Sequence, residues 1–201
     1  MRSLTFISLI FVFLFVTGGG QSFALDVITF GPKETKIDGS IPYSVIGKYK
    51  AQFRAFKGRI GLDENPWRIQ SVYLEIKASS ITSNCPWCDK LARSHRLLNA
   101  SKYTEIIFKS EKIIHDEGGY KVKGILAMHG IKRRMTFPFD VKIINDQRSQ
   151  EKWIDLKGTW VFNRKDFNII WNRILDRGGV LVGDNVTVNW GIKTRIKQEE
   201  I

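Results

Sequence analysis

The feature that most constrains the fold of this chain is an alternation of apolar and polar side chains with a period of two. The alternation is clearest over residues 120–128, and it recurs over residues 135–143, 154–162 and 186–194. Because successive side chains of a β-strand point to opposite faces of the sheet, each row predicts a strand with one buried and one solvated face. Short turn sequences such as DEGG separate the rows, which predicts an all-β protein, either an antiparallel sandwich or a barrel.

Two stretches depart from this regular alternation. Over residues 49–62 the parity of the apolar positions changes once, which predicts a β-bulge near residues 54–55. Residues 89–98 instead place Leu91 and Leu98 on one face of a helix. The sequence therefore predicts one short helix near 89–98, with the cysteine pair at or just before its start.

The predicted buried rows are rich in aromatic residues. These are Phe53, Phe56, Phe108, Phe137, Phe139, Trp160, Phe162 and Trp190. A barrel of about eight strands is wide enough to be filled by side chains or to hold one slender ligand. The periodicity leaves both arrangements open, and by itself it favours rings that simply fill the interior.

The N-terminus has the features of a secretory signal peptide. Arg2 gives a positive start, residues 4–16 are almost entirely apolar, and small residues up to Ala24 precede a predicted cleavage site. The apolar run is shorter than a comfortable membrane span, which disfavours the alternative of an uncleaved anchor. We therefore expect residues 1–24 to be a signal peptide and residues 25–201 to form one exported domain.

The two cysteines of the chain form a C-x-x-C motif, Cys85-Pro86-Trp87-Cys88. In an oxidising compartment such a pair is usually a disulfide, and here it would rigidify the turn before the helix. The alternative is a redox-active pair, because a helix N-terminus and the C-x-x-C spacing both lower a thiol pKa. Thioredoxin-like proteins alternate strands and helices around this motif, whereas consecutive strands are predicted here, which favours the structural disulfide.

No metal site, cofactor or catalytic constellation is predicted. Cys85, Cys88 and His95 could supply three metal ligands, but structural zinc needs about four and the spacing matches no standard zinc signature. The acidic residues are dispersed among basic ones, and the sequence contains no G-x-S-x-G motif or phosphate-binding loop. We therefore expect a binding protein and not an enzyme.

The formal net charge of +12 suggests an anionic partner. Lysine and arginine are scattered through every segment, which is usual for solvated faces and is also compatible with attraction to anionic lipid headgroups. An anionic membrane surface is therefore a candidate partner. Nucleic acid is not expected, since the chain is predicted to be exported and lacks nucleic-acid-binding motifs.

Several segments together resemble one protein family. The segment GYKVKGILAMHGIKRRMTFPFDVKI, residues 119–143, resembles the central hairpin of the YceI-like family of lipid- or polyisoprenoid-binding periplasmic proteins. FRAFKGRIGLDE, ASKYTEIIFKS, FNRKDFNIIW and VGDNVTVNWGIKTRI resemble further segments of that family in the same order. The similarity covers nearly all of the chain after the predicted signal peptide, although the cysteine pair departs from the family pattern.

The resemblance implies a lipocalin-like, extended antiparallel β-barrel with an apolar cavity that holds an isoprenoid or similar lipid. The eight aromatic residues would then line the cavity. The resemblance further implies a periplasmic location, with a carrier role or a role in the envelope stress response. Arg164 and Lys165, in the turn after Phe162, are candidates for binding the lipid headgroup, or else ordinary turn cations. The alternative function is that of an envelope thiol–disulfide redox protein using Cys85 and Cys88.

Overall fold

The structure, a computed structural model, describes residues 26–43, 47–64, 67–146, 151–175 and 180–196. The predicted signal peptide lies outside these residues. The strands are β1 (Asp26–Phe30), β2 (Thr35–Tyr43), β3 (Gly47–Phe53), β4 (Phe56–Glu64), β5 (Trp67–Lys77), β6 (Ile81–Thr82), β7 (Glu105–Asp116), β8 (Gly119–Met128), β9 (Ile131–Asp146), β10 (Glu151–Asn163) and β11 (Asn185–Ile196). The helix α1 spans Pro86–Arg93, and two 3-10 turns span Ala78–Ser80 and Arg164–Phe167.

The strands form one curled antiparallel sheet in the order β1-β4-β5-β7-β8-β9-β10-β11-β2-β3-β6. The predicted all-β, barrel-like architecture is therefore confirmed, although the sheet has eleven strands where about eight were expected. No predicted row covers β1, β2 or β6, of which β1 and β6 are too brief to show a clear alternation, and one expected strand is divided into β3 and β4. Among the described helices, none is long and apolar enough to cross a membrane.

The predicted bulge near residues 54–55 is instead a corner of the chain. β3 pairs with β2 and β6, whereas β4 pairs with β1 and β5. The Arg54 N–H donates to the Ser80 carbonyl (3.1 Å), and the Lys77 N–H donates to the Ala55 carbonyl (2.9 Å). A corner and a bulge change the parity of the apolar residues in the same way. The sequence pattern therefore does not distinguish them.

The helix is also displaced from its predicted position at residues 89–98, since α1 begins at Pro86 and ends at Arg93. Proline is favoured in the first turn of a helix, and Cys85 is the N-cap residue. Ser94 ends the helix with an extended backbone, and both its N–H and its hydroxyl donate to the Leu91 carbonyl (3.1 and 2.7 Å). Residues 95–98 continue as turns and not as helix.

β9 changes its pairing partner halfway along its length. Its residues 131–139 pair with β8, and its residues 140–146 pair with β10. Pro138, which cannot donate a backbone hydrogen bond, lies just before the second segment begins. We call the opening between residues 131–139 of β9 and residues 158–163 of β10 the β9–β10 fissure.

Candidate ligand-binding site

The inner face of the curled sheet and one side of α1 surround an apolar cavity of about 240 Å³. This volume is somewhat below the roughly 300–1,000 Å³ of typical small-molecule pockets. Its lining is aliphatic and aromatic except at a few positions, which include Ser40, the Tyr49 hydroxyl and Arg164. The aromatic residues of the lining are Phe30, Tyr49, Phe53, Phe108, Phe137, Phe139, Trp160, Phe162 and Trp190.

The structure brings seven of the eight sequence-predicted aromatic residues together around this cavity. The exception is Phe56, which is buried in the hydrophobic core but is not part of the lining. Phe56 is the first residue of β4, directly after the corner, where it pairs with Ile76. That the seven rings contact a ligand stays a prediction.

Sequence reasoning missed part of the lining. Phe30 belongs to the five-residue β1, which is too short for a convincing alternation. Ala92, Leu97 and Leu98 line the cavity from α1 and the turns that follow it. The helical spacing around Leu91 was the available signal, but it did not indicate which sheet face the helix would cover.

Glycines opposite aromatic rings keep those rings against the wall of the cavity. Gly124 lies beside the ring of Phe108, where an added Cβ would be only 2.7 Å from the Phe108 Cζ atom. Gly158 pairs with Trp190, and a Cβ there would be 2.6 Å from the indole. Because these glycines have no side chain, the rings can lie across the neighbouring strand. This arrangement favours the interpretation in which the rings line a cavity over the one in which they fill the interior.

Aromatic contacts cross the β9–β10 fissure on the cavity side. Phe137 of β9 stacks on Trp160 of β10 with ring centroids 5.3 Å apart, and Trp160 stacks on Phe162 at 4.7 Å. Phe139 of β9 contacts Trp190 of β11 at 6.2 Å. Each such pair contributes about 0.5–1.5 kcal/mol beyond its burial. Side chains therefore connect these strands where the sheet ladder is interrupted.

Arg164 is buried, with 2% of its surface exposed, and it lines one end of the cavity. Its Nε donates to the Gly183 carbonyl (2.8 Å), and its Nη1 donates to the carbonyls of Ile169 and Trp171. Its Nη2 donates to the Val182 carbonyl, and also to the Asp184 carboxylate at 3.2 Å. A guanidinium has five N–H donors, and these five contacts direct all of them to protein acceptors. Arg164 is therefore no ordinary turn cation, and a lipid headgroup would have to displace one of these contacts.

Opposing effects act on the ionisation of Arg164 and its partner. Burial lowers the pKa of the Arg164 guanidinium, and the Asp184 carboxylate counteracts this effect. Lys165 is half-exposed and contacts Asp184 at 2.7 Å. The hydrogen bond from Lys165 lowers the pKa of Asp184 from its usual value. A headgroup role for Lys165 stays a prediction, and a headgroup would compete with Asp184 for its ammonium group.

The cysteine pair forms the expected disulfide at the start of α1. Cys88 is buried, and its N–H lies 3.3 Å from the Cys85 sulfur. Redox activity of the pair stays a prediction. Within the described ranges of the chain, no group of three or more His, Cys, Asp or Glu side chains is arranged to hold a metal ion.

Asp89 anchors α1 over one end of the cavity. Its buried carboxylate accepts hydrogen bonds from the Tyr49 hydroxyl (2.8 Å), the Thr82 hydroxyl (3.3 Å), and the N–H and hydroxyl of Ser83 (2.9 and 2.6 Å). Burial alone would raise the pKa of Asp89, but these hydrogen bonds, led by those from Ser83, hold it below its usual value. Burial, and next the bond to Asp89, raise the pKa of Tyr49. Because Tyr49 and Ala92 both line the cavity, this network fixes the helix against the sheet.

A curled antiparallel sheet around an internal apolar cavity is a lipocalin-like architecture, and the interior of a barrel of this kind has room for one small ligand. Comparison with known proteins agrees with this class. The chain belongs to the family described as the YceI-like domain, whose family model matches residues 29–194.

Relatives of known sequence and structure extend the comparison. The UPF0312 protein of Vibrio parahaemolyticus is 32% identical over 123 residues, which cover 60% of this chain and 64% of that relative. The crystal structure of Burkholderia cenocepacia BcnA has a TM-score of 0.65 at 18% identity, covering 81% of this chain and 97% of BcnA. A polyisoprenoid binding domain from Saccharophagus degradans, implicated in plant cell wall breakdown, has a TM-score of 0.62 at 12% identity, covering 87% of this chain and all of that domain (100%). At these identities the structural neighbours establish the fold.

Proposed function

We propose that the protein binds an isoprenoid or similar amphiphilic lipid in its internal cavity. The observation that carries this proposal is the almost wholly apolar lining, in which aromatic rings lie along the wall. Burying an apolar tail in such a space gains about 0.8 kcal/mol for each CH₂ group. Membership of the YceI-like family and the fold shared with the polyisoprenoid binding domain of Saccharophagus degradans support the same ligand class.

We also propose that the protein is exported to the periplasm and carries its ligand there. The support is the signal-peptide pattern of residues 1–24 and the net charge of +12, which suits transient contact with an anionic membrane surface. A role in the envelope stress response is the wider expectation from the family resemblance. Export predicts that protein from the periplasmic fraction begins at Leu25, which N-terminal sequencing measures directly.

A pair of valine substitutions tests the cavity. Val188 lines the cavity, whereas Val161, on the neighbouring strand, is exposed to solvent on the outer face. Native mass spectrometry of delipidated protein with geranylgeraniol should show a one-to-one complex. Val188→Trp should weaken this complex at least tenfold, because the indole would occupy the space of the tail. Val161→Trp should bind as the unaltered protein does.

Two results would contradict the proposal. One is a folded, delipidated protein that forms no complex with geranylgeraniol. The other is a folded Val188→Trp variant that binds as tightly as the Val161→Trp control. Lipid extraction of protein purified from the exported fraction adds an independent measurement, since a co-purifying ligand should partition into organic solvent and its mass would identify the tail.

A further inference from the structure

A second concavity, of about 530 Å³, lies on the outer face of the sheet across β9, β10, β11 and β2. We call it the outer groove. The side chains of Lys36, Asp38, Asp140 and Lys157 line it. Within the described residues, Lys36, Asp38 and Asp140 form no ion pair, and Lys157 contacts Asp155 at 3.0 Å. The groove therefore carries charged side chains of both signs around a largely apolar floor.

The outer groove and the inner cavity share part of their lining. Phe139 and Trp190 belong to both, although their strands carry polar residues on the outer face. Phe139 is buried and Trp190 is half-buried, and both lie where the pairing of β9 with β10 ends at Asp140 and Lys157. At this point aromatic side chains separate the cavity from solvent. These rings can rotate without breaking a backbone hydrogen bond of the sheet.

The lipid headgroup needs a polar site that Arg164 does not readily offer. All five N–H donors of Arg164 are directed to protein acceptors, and Lys165 contacts Asp184. The outer groove adjoins the cavity at Phe139 and Trp190, and its Lys36, Asp38 and Asp140 side chains form no ion pair within the described residues. An amphiphile whose tail lies in the cavity could therefore place its headgroup there.

We propose that the outer groove binds the headgroup of the ligand, with the tail passing through the β9–β10 fissure beside Phe139 and Trp190. This inference rests on the proposed function. Two lysines and two aspartates balance in charge around the groove, although the whole chain carries +12. Such a site suits a neutral or zwitterionic headgroup better than an isolated anion, because an anion would lie beside both carboxylates.

Gly191 allows the groove to be filled without changing the cavity. It lies in the groove, and an added Cβ would meet the Lys157 side chain and the Leu156 carbonyl at ordinary contact distances of 3.7 and 3.8 Å. Gly191→Phe should therefore occupy the groove while leaving the inner wall intact. Thr29→Phe, at an exposed position of β1 outside both concavities, is the matched control.

The probes are dodecanol and dodecylphosphocholine below its micelle concentration, which share a tail and differ in headgroup. The unaltered protein should bind both. Gly191→Phe should weaken dodecylphosphocholine binding at least tenfold and dodecanol binding less than threefold, while Thr29→Phe changes neither. A folded Gly191→Phe variant that binds both probes normally, or loses both equally, would overturn the groove assignment.

A charge variant provides a second test if Gly191→Phe does not fold, as a thermal melt would reveal. Asp140 lies on the outer face and is exposed. Asp140→Lys should increase binding of dodecyl phosphate relative to dodecanol at least threefold, and an unchanged ratio would overturn the assignment. If the unaltered protein binds neither dodecanol nor geranylgeraniol, the proposed function itself is refuted. If the protein binds geranylgeraniol normally but the groove variants do not change headgroup binding as expected, only the groove assignment is refuted.

Discussion

The two sides of β10 are held in different ways. Towards β11, β10 pairs over residues 152–163, which is nearly its whole length. Towards β9, it pairs only over residues 151–157. Beyond that point, Phe137 stacks on Trp160, and the 3-10 turn Arg164–Phe167 contacts the start of β9. The cavity wall between β10 and β11 is therefore a continuous hydrogen-bonded ladder, whereas the wall between β9 and β10 is closed partly by side chains.

The far end of the fissure is closed by contacts that depend on the 3-10 turn. Arg133 donates from Nε to the Asp166 carbonyl (3.0 Å), and the Nδ1 atom of His129 lies 3.0 Å from the Phe167 carbonyl oxygen. Arg164 in turn connects this 3-10 turn to residues 169, 171 and 182–184. The fissure is therefore bounded by the sheet ladder at one end and by this cluster at the other.

The largest expected effect comes from Arg164→Met. This change removes five hydrogen bonds and leaves several buried carbonyls without a donor, so we expect a loss of about 3–5 kcal/mol in the free energy of unfolding. Lys165→Met is the matched control, since it removes only a half-exposed ion pair worth at most about 1 kcal/mol. Chemical denaturation measures the free energy of unfolding of both variants. Equal effects of the two changes would contradict a special role for Arg164.

Two glycine substitutions compare a strand that is paired on both sides with the strand that borders the fissure. Gly124 lies on β8, which pairs with both β7 and β9, and a Cβ there would lie 2.4 Å from the Lys109 carbonyl oxygen, which the backbone holds in place. A Cβ at Gly158 meets the Trp190 ring, which can rotate. We therefore expect Gly124→Ala to cost about 2–3 kcal/mol of unfolding free energy and Gly158→Ala about 1 kcal/mol.

The same pair of glycine variants should differ in ligand binding. Gly158→Ala should displace the Trp190 indole and so change tryptophan fluorescence and geranylgeraniol affinity. Gly124→Ala should affect stability more than binding, because its closest clash is with the Lys109 carbonyl oxygen, which cannot rotate away as the Phe108 ring can. If Gly158→Ala is the more destabilising change, the strand beside the fissure is as rigid as the fully paired β8, and the contrast between the two regions fails.

The substitution Asp89→Asn tests whether α1 is also held in place by side chains. Since the pKa of Asp89 is lowered in the folded state, its contribution is present above the usual value of 3.8 and is lost as the pH falls through the folded-state pKa. Asp89→Asn should cost about 2 kcal/mol at neutral pH. Unfolding free energies of the two proteins, measured from pH 6 down to about pH 2.5, should converge as the pH falls. A constant difference across this range would show that the ionised carboxylate is not the source of stability.

The expected effect of removing the disulfide is also small. Replacing both Cys85 and Cys88 with serine opens a ring that restrains only a few residues, so we expect a loss of about 1 kcal/mol. Binding of geranylgeraniol should stay within twofold, because neither cysteine lines the cavity. A large loss of binding on reduction alone would favour the redox interpretation of the pair. Alkylation of the unaltered protein with and without reductant is the accompanying measurement.

Local patterns predicted much of the fold and most of the aromatic lining. Alternation located the long strands, and their inward parity selected seven rings that do line the cavity. Parity placed Phe56 in a buried row and the family resemblance then implied a place in the lining, but at the corner Phe56 lies in the core instead. The helix was predicted too late in the chain, because its periodicity continues into turns, whereas Pro86 and Ser94 determine where it begins and ends.

Which residues face inwards along a long strand follows from a local two-residue period, so the sequence alone predicts it. The burial of Arg164 follows from the fold, since its acceptors lie on residues 169, 171 and 182–184 and form a site only after the chain has folded. The fold also determines that β9 leaves β10 at Asp140 and Lys157, which creates the fissure and the outer groove. Pairing between strands depends on the register and curl of the whole sheet, and no single segment of sequence encodes either.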